Sequence, residues 1–538
     1  MQFRKWSIGL AIAALYGAPA VADADVGHRD AAFTPSSVVK PSGQKPQSKL
    51  WFHDGSWWAS LFVPGVDEYR VHRLDPFSQT WVDTGTPLDD RSSSSADVLW
   101  DGTRLYVASG SDQAGSDATR IKIMRLGYDA ATRSWVRDAG YNPVLAGGPI
   151  EAVVLDEDST GRLWLTYTRD NTVYVAHTSG KPDDAWGAPY ALPVTDAANL
   201  NPDDISAVVA YAGHIGVMWS NQTVPAIYFA SHADGAPDSA WTRTEALTGP
   251  LAADDHINLK SVQDSGGRVL AAVKTSKSDA QPPRPSDDQV DLLELKAGVW
   301  SRYVFGTVAD DHTRPIVLTD QLTRRLYLFA TSPTNPDPGV QTIVYKETDL
   351  DHPSFAPGPG TVFMRSDAGA DINDATSTKQ DLSVAPQLVV LASDPNYYWH
   401  NVLALPHAAP TITALSARPR SFRTRRRAGR PAGTMLRFTL SEPAAARLWL
   451  ERARPGRRVG GRCVRPTRSN RSRRACVRYV ILPGSVRRSL AAGAVRWRFD
   501  GRIAGRRAAP GRYRLALVAT DAAGNASRVA RVSVRILR

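Results

Sequence analysis

The sequence predicts an all-β fold, a seven-bladed β-propeller followed by a small β-sandwich, and three observations carry that prediction. Between residues 45 and 405 short apolar or β-branched runs alternate with Gly, Asp and Pro, and helical periodicity is absent. Within that stretch a two-strand unit recurs at intervals of about 50 residues, the length of a four-stranded blade. Charge then divides the chain. Thr411–Arg538 holds 33 Arg, no Lys and four acidic residues, a formal +29, whereas the remainder carries 32 basic against 49 acidic residues, a formal −17.

The N-terminus reads as an export signal over residues 1–24. Arg4 and Lys5 make a basic start, Ile8 to Ala18 is apolar, and Ala20-Val21-Ala22 or Ala22-Asp23-Ala24 supplies a small-x-small cleavage pattern. Asp23 and Asp25 interrupt the apolar stretch before the roughly 20 residues of a membrane span. The expectation is a secreted, extracellular protein with no membrane span. Residues 25–44 form an N-terminal segment, of which Ala31–Val39 is expected to complete the last blade and close the ring.

The propeller is assigned to residues 45–405. Its unit is strand, Asp-Gly-type turn, strand: Trp51 to Trp58 around Asp54-Gly55, Val98 to Tyr106 around Asp101-Gly102, and Val262 to Val269 around Asp264-Ser265-Gly266-Gly267. Asp-Gly between apolar runs is a strong hairpin signal because it tolerates the positive φ of a tight turn. An acidic marker precedes most of these hairpins: Asp89-Asp90-Arg91, Asp203-Asp204-Ile205, Asp254-Asp255-His256, Asp310-Asp311-His312 and Asn373-Asp374-Ala375. Steps between the central residues are 114, 51, 56 and 63, the first spanning two blades. Hairpins beginning near Lys49, Asp97, Glu151, Ser206, Asn258, Thr313 and Ser377 number seven.

Residues 406–412 read as a linker and 413–538 as the Arg-rich sandwich. Strand-like pieces fall at residues 435–440, 446–450, 476–482, 495–499, 513–520 and 527–536. Cys463 and Cys476 are the only cysteines, and in an exported chain they are expected to form a disulfide around a loop holding Arg465, Arg468, Arg471, Arg473 and Arg474. The run Pro510 to Asn525 resembles the closing strands of bacterial immunoglobulin-like modules, which implies an Ig-like sandwich.

Ligand sites of propellers usually lie where loops lead into the channel-lining strands, and the acidic markers fall there. The predicted site gathers Glu151, Asp255, His256, Asp311 and His312 as catalytic candidates, with Lys49, Arg91, Asp97, Asp204, Lys260, Arg314 and Lys379 as substrate-binding candidates. A hydrolase would use two carboxylates from Glu151, Asp97, Asp204, Asp255 and Asp311. A lyase would use His256 or His312 as base beside a neutralising cation. The cations point to carboxylate, sulfate or phosphate groups on the ligand. The repeated Asp-Asp-x has an equally good structural reading, an Asp side chain capping turn amides. No P-loop, zinc spacing or EF-hand loop is present, so no cofactor is expected, with calcium in the channel left open.

The hairpin Asp156-Glu157-Asp158-Ser159-Thr160-Gly161-Arg162-Leu163-Trp164 resembles the aspartate-box turn of secreted sialidase-like propellers, which bind or cleave polysaccharides. It departs from their Ser-x-Asp-x-Gly-x-x-x-Trp order, and the family's arginine triad and Tyr/Glu nucleophile pair are not assigned in this chain. The expected function is a cell-envelope-associated propeller that binds an acidic glycan at the channel mouth. Whether it also cleaves, as a glycoside hydrolase or polysaccharide lyase, is left open; the alternative is a non-catalytic surface-binding or adhesion propeller. The basic tail is expected to hold an acidic polysaccharide or cell-wall polymer rather than nucleic acid.

Overall fold

Turn chemistry sets up each hairpin. Asp54 and Gly55 take φ of 49° and 71° between the strands Leu50–His53 and Ser56–Val63, and Asp101 Oδ1 accepts the amides of Thr103 and Arg104, each at 2.5 Å. Strands joined this way are buried on both faces in the blade centres, which explains continuous apolar runs such as Leu326, Tyr327, Leu328 and Phe329, all buried.

The computed structural model describes residues 25–538 apart from 34–37, 39–40, 44, 77, 114, 116–119, 180–182, 265–266, 334–338, 406, 408, 425–431, 442–443 and 522–524. The export signal expected over residues 1–24 lies outside the described residues. Among those described, seven sheets of four or five strands succeed one another along the propeller stretch. The inner strand of blade one is Leu50–His53; those of blades two to seven are Ser94–Trp100, Val153–Glu157, Ser206–Tyr211, Ile257–Val262, Thr313–Asp320 and Asn373–Thr376. Among the described residues no helix is long and apolar enough to cross a membrane.

Blade seven supplies three strands of its own, and the fourth comes from the other end of the chain. His28–Ala32 pairs antiparallel with Tyr397–Ala404, placing His28 opposite His400. The closing strand therefore starts before the Ala31–Val39 segment read from the sequence, overlapping it at Ala31 and Ala32. Asp30 Oδ2 lies 2.7 Å from buried His400 Nδ1. The ring is tied at its seam, where Lys49 N and Leu50 N both donate to Ser377 O, at 3.2 and 3.0 Å.

The tail folds around two sheets. Ile412–Arg418, Thr434–Leu440 and Gly493–Phe499 form the smaller. The larger is built on the long strand Ala444–Val459, which pairs with Ala475–Ile481 and Val486–Leu490 along one edge and Gly511–Thr520 along the other, followed by Ala530–Leu537. Leu436, Phe438 and Trp497 share one core with Leu448, Leu450, Leu515 and Leu517. Cys463 and Cys476 are disulfide-bonded, and the bridge packs so closely on Gly456 that a Cβ there would collide with Cys463 Sγ.

Candidate functional site

The segment that leads into blade one crosses the channel instead of skirting it. Lys45 Nζ lies 2.8 Å from Glu151 Oε1 and is also paired with Asp255. Gln47 Nε2 donates to Val153 O at 3.0 Å, and Gln47 O accepts from Thr376 Oγ1 at 3.1 Å. Ser48 N donates to Asp97 Oδ1 at 2.8 Å. These partners belong to blades two, three, five and seven or to the loops that lead into them. Residues 45–48 thus cross the face where inner strands begin, and Glu151 and Asp255, expected to line an open site there, are held in ion pairs with Lys45.

The predicted catalytic set does not assemble. His256 Nδ1 lies 2.5 Å from Asp254 Oδ1 and 2.7 Å from Asp255 Oδ1, and Lys274 Nζ sits 2.6 Å from Asp254 Oδ2. Burial pulls the His256 imidazole down to about 4, so it is neutral at physiological pH. Asp311 is exposed in a left-handed conformation. His312 is fully buried against Phe305, its Nε2 2.9 Å from Pro359 O, and burial pulls it to about 4 as well. A Cβ at Gly306 would overlap its ring. Both histidines hold structure: His256 bonds through Nδ1 and His312 through Nε2, the buried Nδ1 of His312 having no partner among the described residues.

Several binding candidates are likewise structural. Arg91 clamps Asp89 at 2.7 Å, Ser109 Oγ at 2.9 Å and Arg120 O at 2.7 Å inside blade two. Asp204 accepts the amides of Asn201 and Gln222, the turn-capping role. Arg314 pairs with Asp374 at 2.7 Å, and Lys49 is buried beside Ala96 O and the Tyr69 ring. Among the described residues two groups have donor spacing for a metal ion, Glu151 with Asp203 and Asp255, and Asp254 with Asp255 and His256. Lys45 already lies against the first and Lys274 against the second.

The opposite end of the channel, where inner strands finish, holds a cavity of about 260 Å³. Lys260, Lys379, Asp156, Trp100, Gln263 and Gln321 line it, and Pro46 and Ser48 of the crossing segment also contribute. Lys260 is 5% exposed and makes no hydrogen bond among the described residues; burial, with Lys379 nearby, pulls its ammonium down to about 7. Lys379 Nζ sits 2.6 Å from Asp97 Oδ2 and also donates to Leu155 O. Asp97, fully buried, accepts Leu155 N at 2.9 Å. Asp156 accepts Ala210 N at 2.8 Å, and burial pushes its carboxyl above the usual range.

Of the predicted site residues, the structure therefore brings Lys260 and Lys379 to one cavity, with Asp97 behind them. Sequence reasoning missed Lys45 and the glutamines. Gln263, Gln321 and Gln380 each lie one to four residues beyond an inner strand and bond a neighbouring blade: Gln321 Oε1 accepts Gln263 N at 2.8 Å, and Gln380 Oε1 accepts Phe52 N at 2.7 Å. That recurrence was the available signal. The hairpin likened to an aspartate box places Asp158 Oδ1 on the amides of Thr160 and Arg162, while Trp164 Nε1 donates to Oδ2 at 2.9 Å. The turn is a bracing device, and of the hairpin's residues Asp156 and Glu157 line the cavity.

No known protein family matches the chain by sequence, and no curated protein does. Among solved structures the trace is similar to a fungal alcohol oxidase of the AA5 family in complex with copper, at 12% identity and TM-score 0.40, covering 95% of this chain and 99% of that one. It is also similar to a GH43 endo-arabinanase from Bacillus licheniformis, at 11% identity and TM-score 0.28, covering 48% and 96%. A third similarity is to an exo-β-1,3-galactanase from Phanerochaete chrysosporium, at 11% identity and TM-score 0.29, covering 74% and 90%. Similarities of this strength assign neither activity nor ligand, and the chain's chemistry rests on its own residues.

Proposed function

We propose that the chain is an exported, envelope-associated propeller that binds an acidic glycan at the outgoing mouth of its channel without turning it over, and that its basic tail adds a second hold on anionic polymer. Lys260 is the observation that carries this reading. Lys260 makes no hydrogen bond among the described residues and feels the Asp97 and Asp156 carboxylates only at longer range, a costly position for a buried amine; a ligand carboxylate reaching it past Asp156, Glu157 and Asp381 on the cavity wall would relieve that cost. At about 260 Å³ the cavity lies just below the usual range of roughly 300–1,000 Å³ for ligand sites, so it takes a single acidic residue or chain end. Trp100 offers an apolar wall and the neighbouring glutamines offer amides.

Non-catalytic binding is favoured because the groups a hydrolase or lyase needs are engaged: Glu151 and Asp255 with Lys45, His256 with its two aspartates, Asp156 with the Ala210 amide. The braced Asp158–Trp164 hairpin supports a sialidase-like reading of the propeller, and the final strands of the tail an immunoglobulin-like one. Calorimetric titration with uronic acids and neutral sugars tests the site, alongside product analysis on an acidic polysaccharide. Uronate binding that disappears in Lys260→Met, with no products, is expected; oligosaccharide release refutes the non-catalytic reading, and absence of uronate binding refutes the site.

A further inference from the structure

The strand register sets arginine opposite arginine at several places in the tail, as at Arg437–Arg496 and Arg454–Arg478, and two further pairs share one face of the larger sheet. In the larger sheet, alternate residues Leu448 and Leu450, Leu515 and Leu517, Val532 and Val534 face the core, so their neighbours share the opposite face. That face carries Arg447, Arg487, Arg512, Arg514, Arg531 and Arg535. Arg447 stands directly opposite Arg487, and Arg512 directly opposite Arg535. Like charges in such pairs are destabilising, and the face offers one acid, Glu451, which holds Arg531 at 3.1 Å.

The guanidinium groups are also pre-positioned. Arg447 lies over the Trp449 ring, 5.2 Å from its centroid, and Arg514 over Tyr479 at 3.6 Å. The two repelling pairs sit at opposite corners of the patch, three rungs apart along the strands. With rungs about 7 Å apart, the patch is about 20 Å long, with Arg531 and Arg514 on the intervening rungs. Arginine forks bind carboxylate or phosphate oxygens bidentately. No aromatic residue is among the exposed large hydrophobics of the described tail, and the aromatic rings on this face lie under guanidinium groups, so the stacking platform of a single-stranded nucleic-acid site is missing.

We infer that this sheet face binds a linear acidic polysaccharide across its two Arg–Arg pairs, the polymer's charges relieving repulsion built into the fold. The inference rests on the tail reading proposed above and names the surface that performs it. The test uses the full chain, with polygalacturonate, neutral dextran and duplex DNA as probes at low and physiological salt. One variant is Arg447→Gln/Arg487→Gln/Arg512→Gln/Arg535→Gln. A charge-matched control is Arg465→Gln/Arg468→Gln/Arg471→Gln/Arg473→Gln, in the disulfide loop.

Polygalacturonate should bind in a salt-sensitive way and raise the melting temperature, whereas dextran should not bind. The face variant should lose at least tenfold in affinity without melting lower, since repulsion is removed, and the control should lose less than threefold. Equal losses in both variants, or tighter binding of DNA than of polygalacturonate, overturn the assignment. If the wild-type chain ignores polygalacturonate, the tail reading itself fails; if it binds and the face variant binds equally, only the surface is wrong. Running every polymer titration in the Lys260→Met background as well keeps uronate chain ends held at the channel out of the comparison between the face variant and its control.

Discussion

Lys379 Nζ stands 2.6 Å from Asp97 Oδ2 inside the channel, joining residues 282 positions apart on blades two and seven. Asp97 also accepts the amides of Ser48 and Leu155, so one carboxylate ties three segments around the axis. Asp97→Asn should cost about 3 kcal/mol, because it takes the salt-bridging carboxylate from a mostly buried ammonium and leaves it the Leu155 carbonyl. Urea unfolding measures this, and adding Lys379→Met should recover part of the loss; a neutral Asp97→Asn would show that the carboxylate is dispensable.

Lys45 neutralises Glu151 and Asp255 where residues 45–48 cross the channel. Lys45→Met should destabilise the propeller by about 3 kcal/mol, measured by urea unfolding, and adding Glu151→Gln/Asp255→Asn should recover part of that loss. No recovery in the combined variant would mean that the segment matters only as packing.

Binding of an acidic sugar should follow the Lys260 charge. Its pKa in the free protein is about 7, so affinity should be level below pH 7 and fall about tenfold per unit above it. Titration calorimetry between pH 6 and 9 checks this, and a flat profile would remove Lys260 from the site.

His312 gives a stability signature of opposite origin. Its pKa falls from 6.5 unfolded to about 4 folded, through burial, so between these values the unfolded chain binds more protons and stability rises with pH. The contribution is complete above about 6.5 and is lost as pH falls toward 4, on the order of 3 kcal/mol. Melting curves of His312→Gln should show a shallower slope over that interval; an unchanged slope would assign the acid sensitivity elsewhere.

Much of the fold was legible because it rests on local chemistry. Asp54-Gly55 and Asp101-Gly102 announce their hairpins through the φ values that tight turns demand, and blade-length recurrence of a two-strand unit announces a propeller. The disulfide followed from two cysteines in a chain expected to be exported. The charge division between the acidic body and the arginine tail is a property of composition alone.

What the sequence left undecided are relationships between residues far apart in the chain. The recurring Asp-Asp-x looked like one feature, yet it serves as a turn cap at Asp204, an ion-pair hub at Asp255 and an exposed turn at Asp311, because each blade meets different neighbours. Lys45 sits in a Pro- and Gly-containing stretch that reads as a lead-in, and only the closed ring brings Glu151 and Asp255 around it. That segment crosses the face where the loops converge, and Lys260 faces a cavity at the other end. Local propensity fixes turns and strand faces within a few residues; which charges end up paired depends on how seven blades close, and the low dielectric of that channel decides which stay available to a ligand.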